Sequence, residues 1–210
     1  MIRVLIADDH GIVRQGLKQI VSESPGIVVT GEAADGEEAL ALARQQQFDV
    51  AIIDIAMPRK GGLDILKELR REHPLMKLIV LSIYSEEQYA IRCLRDGASA
   101  YLSKGNATDE LIPAIQTVAA GKRFITPLVA ERLASYVEGG EKRALHEGLS
   151  NREMQIFLLI GGGKSASDIS RELSLSVKTI STYRARILLK MGMQTNAQLI
   201  QYAIRNGLVP

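Results

Sequence analysis

Short apolar runs alternate with amphipathic segments over the first 120 residues of the chain. The apolar runs are rich in Val, Ile and Leu at consecutive positions, as expected for strands that are buried on both faces of a sheet. They cover residues 2–7, 27–33, 49–54, 77–83 and 100–103. The segments between them carry apolar residues at helical spacing. Five repeats of this alternation predict an α/β fold, a doubly wound parallel sheet with helices on both faces.

Four short helices are predicted in residues 149–207 by a different pattern. Each begins after a hydroxyl residue that can cap its first backbone N–H groups. These residues are Ser150, Ser165, Ser176 and Thr195. The break between the second and third helices is only LSLS, which is typical of a helix-turn-helix. We therefore expect a small all-α four-helix domain after the α/β domain.

The segment between these two patterns, residues 122–147, is expected to be a linker. An amphipathic pattern predicts a short helix over 127–137, and the Gly-containing stretch 138–147 is predicted to be flexible. The predicted domains are therefore 1–121, a linker at 122–147, and 148–210.

Charge distinguishes the domains although the whole chain carries only +2. Residues 1–123 are net −2, whereas residues 148–210 contain 8 Lys and Arg against 3 Asp and Glu, a net +5. A basic module suggests a polyanionic partner.

Cys93 is the only cysteine, so an internal disulfide is excluded, and we expect it to be a small buried side chain in a cytoplasmic protein. No apolar run approaches the roughly 20 residues of a membrane span, and no signal peptide is recognised.

Polar side chains end or follow four of the predicted strands, in a pattern that suggests phosphoryl transfer. Asp8 and Asp9 close the first strand and Asp54 closes the third, where open α/β sheets bind ligands. Three carboxylates at one edge repel each other unless a hard divalent cation lies between them. Ser82 and Lys104 end strands four and five and add donors for an anion.

Asp54 is the candidate nucleophile because its strand is central in the predicted sheet. Asp9 and Asp54 are expected to bind Mg²⁺ directly, Asp8 through a water molecule, and Ala56 through its backbone carbonyl. Lys104 and Ser82 are expected to bind phosphoryl oxygens. His10, next to Asp9, is expected to be a helix-start residue at the rim of the site rather than a metal ligand.

With these positions in register, residues 1–120 resemble a response-regulator receiver domain. The resemblance rests on the Asp pair at strand one, D-x-x-M-P at strand three, Ser at strand four, and Lys followed by Gly at strand five. It implies a flavodoxin-like sheet of order 2-1-3-4-5, phosphorylation of Asp54 by a phosphohistidine kinase, and dependence on Mg²⁺. It also implies that Tyr101 is a switch residue, whose ring turns inward when Ser82 moves toward the phosphoryl group.

The third helix of the second domain, residues 177–190, separates an apolar face from a cationic one. Val177, Ile180, Ile187 and Met191 are predicted to point inward. The outward face combines long cationic side chains that reach phosphates with short ones that permit approach to base edges. Its members are Lys178, Ser181, Thr182, Arg184, Ala185 and Lys190. We therefore predict that this helix enters the major groove of DNA.

Residues 149–192 resemble the LuxR-type helix-turn-helix of the NarL/FixJ response-regulator family. Matching positions include Leu149, Ser150, Arg152, Glu153, Gly163, Ser165, Ile169, Leu173, Ser176, Val177, Lys178, Thr179 and Ile180. The resemblance implies that Ser181, Thr182 and Ala185 read bases. It also implies phosphate contacts from Tyr183, Arg184, Arg186 and Lys178, and pairing of two copies through the last helix. Ser167 and residues 180–183 depart from the common family pattern, so we expect a different target sequence.

Together these features predict a two-component transcription factor that is not an enzyme, apart from catalysing its own phosphotransfer and dephosphorylation. Its expected partners are a sensor histidine kinase, double-stranded DNA and a second copy of the chain, with RNA polymerase as a further candidate. Two alternatives stay open at this point. One is an aspartyl-phosphate hydrolase, and the other is a constitutive DNA-binding protein whose receiver serves only for docking.

Overall fold

The computed structural model describes residues 1–84, 86–137 and 144–209, and the chain divides into two compact units, Met1–Glu138 and Gly139–Pro210. The strands of the first unit are β1 (Ile2–Ala7), β2 (Ile27–Ala33), β3 (Val50–Asp54), β4 (Lys77–Ser82) and β5 (Ala100–Ser103). Its helices are α1 (Gly11–Ser22), α2 (Gly36–Gln45), α3 (Gly62–Glu72), α4 (Glu86–Arg95), α5 (Ala107–Ala119) and α6 (Pro127–Val137). No helix in these described ranges is both long and apolar enough to cross a bilayer.

The parallel sheet has the order β2-β1-β3-β4-β5, so the predicted topology is confirmed. Its register explains how distant residues meet. Ala7 pairs with Ile53, which brings the residue after β1, Asp8, beside Asp54. On the other side, Asp54 pairs with Leu81. The carboxyl ends of β1, β3, β4 and β5 therefore form one continuous edge, and polar residues follow or end each of these strands.

The loop between β3 and α3 is held against the end of β3 by a close backbone approach. Gly62 begins α3, and its N–H donates to the carbonyl of Ile55 at 3.1 Å. A Cβ atom at position 62 would lie 1.9 Å from the carbonyl oxygen of Asp54. Only glycine fits there, because any side chain would collide with backbone rather than with a movable side chain.

The segment after α5 packs on the first unit. The N–H of Phe124 donates to the carbonyl of Ser99 at 3.1 Å, and α6 packs against α4. The Thr126 hydroxyl, just before α6, donates a hydrogen bond to the buried carboxylate of Glu86 in the first turn of α4. The predicted helix over 127–137 is therefore present, and it is docked within the first unit. Of the predicted flexible stretch, residues 138–143 lie outside the described residues, and Leu145–Gly148 form a short 3-10 helix.

The second unit contains α7 (Asn151–Gly161), α8 (Ala166–Glu172), α9 (Val177–Met191) and α10 (Asn196–Arg205). All four predicted caps are present: the side chains of Ser150, Ser165, Ser176 and Thr195 each accept a hydrogen bond from a backbone N–H of the following helix. The core forms where α7 packs against α9 and α10.

The inward face of α9 differs from the prediction at one position. Ile180, Ile187 and Met191 are buried, but 46% of Val177 is exposed. Val177 occupies the first turn, directly after the cap Ser176, whereas the three buried positions lie further along the helix. Periodicity alone does not detect this, because it assigns a face without showing where the neighbouring element ends.

Cys93 lies on α4 and is fully buried. Burial is the main reason that the pKa of its thiol is raised above the ordinary value. It is therefore the inert core side chain that the sequence predicted.

Candidate functional site

Three aspartates meet at the carboxyl edge of the sheet. Asp8 and Asp54 are each 2% exposed, and Asp9 is partly exposed at the end of β1. One side-chain ligand atom from each of Asp8, Asp9, His10 and Asp54 lies within 4.8 Å of the others. The structure thus brings together the acidic residues that the sequence analysis selected, and it adds His10 to them.

Lys104 lies between two of these carboxylates. Its Nζ is 2.6 Å from Oδ2 of Asp8 and 3.3 Å from Oδ2 of Asp54. Burial by itself would lower the pKa of Lys104, but the carboxylates of Asp54 and Asp8 raise it above its ordinary value. The ammonium is therefore charged, and it is fixed beside the candidate nucleophile.

Asp54, the candidate nucleophile, is buried beside both a cation and other carboxylates. Burial raises its pKa to about 6, Lys104 acts in the opposite direction, and the charge of Asp8 adds to the rise. Its Oδ1 atom is buried and accepts no hydrogen bond from any residue that the structure describes. One oxygen of Asp54 thus faces a cation in Lys104, while the other is available to an incoming group.

Ser82 and Tyr101 belong to one hydrogen-bonded chain next to this edge. The N–H of Tyr84 donates to Oγ of Ser82 at 3.2 Å, and the hydroxyl of Tyr101 donates to the carbonyl of Tyr84 at 2.8 Å. The Tyr101 ring is turned inward and is 1% exposed. Tyr84 also packs on Tyr89 of α4, with ring centroids 5.1 Å apart. The end of β4 is therefore connected to both β5 and α4.

Other contacts at the pocket were not evident from the sequence. The backbone N–H of His10 donates to Oδ1 of Asp8 at 2.8 Å, and Nη1 of Arg14 donates to the carbonyl of Asp8 at 2.7 Å. The run Asp-Asp-His was the signal for His10, whereas nothing in the sequence singled out Arg14. Ala56 lies in the loop between β3 and α3, and its carbonyl stays a predicted ligand.

The outward face of α9 is the second candidate site. Most of the predicted DNA contacts are exposed, and Tyr183 is partly buried. The exposed members are Lys178, Ser181, Thr182, Arg184, Ala185, Arg186 and Lys190. The hydroxyls of Ser181 and Thr182 donate to the carbonyls one turn earlier, both at 3.0 Å. Because these hydroxyls bond back to their own helix, the side chains in the middle of the face do not extend far from it.

Two cations of α9 have partners within the second unit. Nε of Arg184 donates to Oδ1 of Asn196 at 2.5 Å. Nζ of Lys190 bonds Oε2 of Glu153 at 2.5 Å, and Glu153 is only 3% exposed. Arg186 lies 5.9 Å from the centroid of the Tyr183 ring. Cations of this face therefore contact partners within the second unit, which helical spacing does not reveal.

Two family models match the chain. Residues 4–116 match the response regulator receiver domain, and residues 147–203 match the bacterial regulatory proteins of the luxR family. The chain therefore belongs to the NarL/FixJ-type response regulators, which join a receiver to a LuxR-type helix-turn-helix. Response regulators of this class control transcription in two-component systems.

Individual relatives extend over the whole chain. It is 39% identical over 210 residues to the response regulator GacA of Pseudomonas viridiflava, covering 100% of this chain and 98% of that protein. It is 38% identical over 209 residues to the response regulator UvrY of Escherichia coli, covering 99% and 96%. Among solved structures, the RcsB response regulator of Salmonella typhimurium matches with a TM-score of 0.63 and 26% identity, covering 96% and 98%. An RcsB–DNA complex matches with a TM-score of 0.60 and 25% identity, covering 96% of each chain.

Proposed function

We propose that Asp54 accepts a phosphoryl group from a sensor histidine kinase, and that this modification controls how the second unit binds DNA. The observation that carries the proposal is the state of the Asp54 carboxylate. It is buried, one oxygen accepts no hydrogen bond from the described residues, and the other lies 3.3 Å from the Lys104 ammonium. In the transfer, Oδ1 of Asp54 forms the new P–O bond while the P–N bond to the kinase imidazole breaks and that nitrogen takes up a proton.

The residues of the pocket fit a divalent cation. Asp9 and Asp54 would bind Mg²⁺ directly, Asp8 through water, and the carbonyl of Ala56 would complete the oxygen set. When bound, the cation neutralises charge on the phosphoryl oxygens. The buried Oδ1 of Asp9, which accepts no hydrogen bond from the described residues, supports this fit, because such an atom normally has a partner. Lys104 and Ser82 would bind the remaining phosphoryl oxygens, and the same pocket would allow a water molecule to dephosphorylate Asp54.

The route from Asp54 to the rest of the receiver starts at Ser82. If the Ser82 hydroxyl turns toward a phosphoryl oxygen, the hydrogen bond that the N–H of Tyr84 now donates to it is broken. Tyr84 holds the Tyr101 hydroxyl and packs on Tyr89. Glu86, two residues further on, binds Thr126 next to α6. Phosphorylation would thus change the docking of α6, from which the chain continues to the DNA-binding unit.

On the DNA side, Ser181, Thr182 and Ala185 would read bases in the major groove. The phosphate contacts would come from Lys178, Tyr183, Arg184, Arg186 and Lys190. A complex of RcsB with DNA is among the similar structures, and another shows two RcsB dimers on two parallel DNAs. We extend dimeric DNA binding to this chain on that likeness, with α10 as the pairing helix. Two-fold dimers imply half-sites about 34–36 Å apart, or multiples of that spacing.

The test combines labelling with selection of DNA. Purified protein is incubated with a small phosphodonor and Mg²⁺, and the phosphoryl group is located by mass spectrometry. We expect labelling that disappears in Asp54→Asn and persists in Asp109→Asn, which changes an exposed carboxylate on α5. Labelling of Asp54→Asn equal to that of the unchanged protein would contradict the assignment.

DNA is then selected from a random pool with and without phosphodonor. Enrichment of a two-fold symmetric site by the phosphorylated protein supports the proposal. Equal enrichment without phosphodonor, or in Asp54→Asn, would instead favour a constitutive DNA-binding protein whose receiver only docks.

A further inference from the structure

A leucine lies at the centre of the outward face of α9. Leu189 is 83% exposed, whereas Ile180, Ile187 and Met191 of the same helix are buried. Successive residues of an α-helix are about 100° apart, which places Leu189 about 180° from the mean direction of these three core side chains. A large apolar side chain therefore points directly away from the core of the second unit.

Leu189 ends a row of side chains along the helix axis. The row begins at Lys178 and continues through Thr182 and Ala185, so that its members are four, three and four residues apart and share one face. All four residues are exposed, and the row extends for about 16 Å at the rise of an α-helix. Because Thr182 and Ala185 are predicted to read bases, Leu189 extends the base-reading row by one helical turn.

The cations on either side of Leu189 are held at the flanks of this row. Lys190 is about 100° from Leu189 around the helix, and its Nζ bonds Oε2 of Glu153. Nε of Arg184 donates to Oδ1 of Asn196. The last turn of the outward face is therefore formed by an apolar side chain rather than by a cation that would reach a phosphate.

The major groove of DNA offers one apolar partner for such a side chain. Its base edges present donors and acceptors, and thymine alone adds a methyl group, at C5. Phosphate oxygens need hydrogen-bond donors, which leucine lacks. A second copy of this face is a poorer partner, because Lys178 and Arg186 would then meet the same cations of the other copy. The charge around Leu189 therefore favours DNA.

We propose that Leu189 determines part of the DNA sequence preference by contacting the 5-methyl group of a thymine in the major groove. This thymine lies beyond the base pairs that Thr182 and Ala185 read, toward the C-terminal end of α9. The inference rests on the proposed DNA binding by this helix, and it adds an apolar contact to the predicted base readers.

The test removes single methyl groups from the DNA. Each thymine of the site selected from the random pool is replaced in turn by uracil, which lacks only the 5-methyl group. The affinity of the full-length protein for each duplex is then measured with phosphodonor present. We expect the replacement of one thymine in each half-site to weaken binding about fourfold, the effect of one buried methyl group. The same replacement should have no effect on the affinity of Leu189→Ala.

Two controls separate this contact from a structural effect. Because Leu189 is exposed, the Leu189→Ala variant should unfold at the same urea concentration as the unchanged protein. Leu75→Ala changes a leucine of the first unit that is 86% exposed, and it should keep the full sensitivity to uracil.

The outcomes also distinguish this inference from the proposed function. The inference is wrong if no thymine is sensitive in the unchanged protein, or if every sensitive thymine stays so in Leu189→Ala. It is also wrong if Leu189→Ala weakens only self-association, measured by sedimentation without DNA, because a second copy would then cover this leucine. Failure to select any DNA site would instead contradict the proposed function, and the inference with it.

Discussion

The Thr126 hydroxyl donates to the carboxylate of Glu86, and this hydrogen bond joins the residue before α6 to the first turn of α4. Both residues are 7% exposed. The N–H of Val129 also donates to Oγ1 of Thr126, at 3.4 Å, and Val129 is 2% exposed. One threonine thus caps α6 and ties it to the receiver.

Replacing Thr126 by Val should loosen α6. The change keeps the side-chain shape but leaves the buried Glu86 carboxylate without this donor, a loss of about 1–3 kcal/mol. We expect faster hydrogen exchange in residues 127–137 and a lower free energy of unfolding in urea. Thr108→Val, at an exposed position of α5, is the control. Unchanged exchange in α6 would show that Thr126 does not hold it.

The contact between Gly62 and Asp54 predicts opposite effects for two glycine substitutions. Gly62→Ala places a Cβ against the Asp54 carbonyl, so we expect a loss of about 1–3 kcal/mol and slower phosphorylation. Gly16→Ala, in α1, meets no atom within 4 Å and should stabilise the protein by about 0.5–1 kcal/mol. Chemical unfolding and labelling rates measure both. Equal effects would contradict the close approach.

Glu153 should make the second unit sensitive to acid. Burial acts to raise the pKa of Glu153, but the bonds from Lys190 and Ser150 outweigh it, so the net pKa is below the ordinary value of 4.5. The folded state therefore binds this proton less readily than the unfolded state. Its stabilisation is present above pH 4.5 and is lost as the pH falls through the folded-state pKa.

The change that tests this is Glu153→Gln. The variant should be less stable at neutral pH but should lose less stability on acidification, as measured by unfolding of the second unit. Glu147→Gln, in the preceding 3-10 helix, is the control. If the Glu153→Gln variant and the unchanged protein lose stability equally on acidification, the contact between Glu153 and Lys190 does not cause the acid sensitivity.

Cations and short side chains on α9 should affect DNA binding differently. Arg186→Ala should weaken binding to all sequences. The slope of log affinity against log salt concentration should become shallower by about one, as expected for the loss of one phosphate contact. Thr182→Ala should cost about 1–3 kcal/mol of binding free energy at the base pairs that Thr182 contacts, and it should relax the base preference at those positions. Binding titrations on the selected site and its point variants measure both. Lys122→Ala, which removes an exposed cation of the first unit, should have neither effect.

The strands were predictable almost to the residue because β1, β3 and β4 are apolar runs buried on both faces. The acidic edge was also predictable, because its polar residues stand directly at the ends of these apolar runs. The docking of α6 was not predictable, since Glu86 and Thr126 are 40 residues apart and each is unremarkable in its own segment.

Similar long-range partners were missed in the second unit. Lys190 and Glu153 are separated by 37 residues, and periodicity places Lys190 on the outward face without showing that a buried carboxylate holds it. The site residues were thus predictable where a strand end or helix face positions them, and unpredictable where a tertiary contact does.

The burial of Cys93 has a practical consequence for studying this regulator. Because its thiol is enclosed in α4 and its pKa is raised, thiol-specific dyes should leave it unmodified in the native state. A cysteine introduced at one exposed position in each unit would therefore carry a fluorophore pair without first removing the natural residue. Energy transfer between the dyes would then report how the separation of the two units responds to acetyl phosphate.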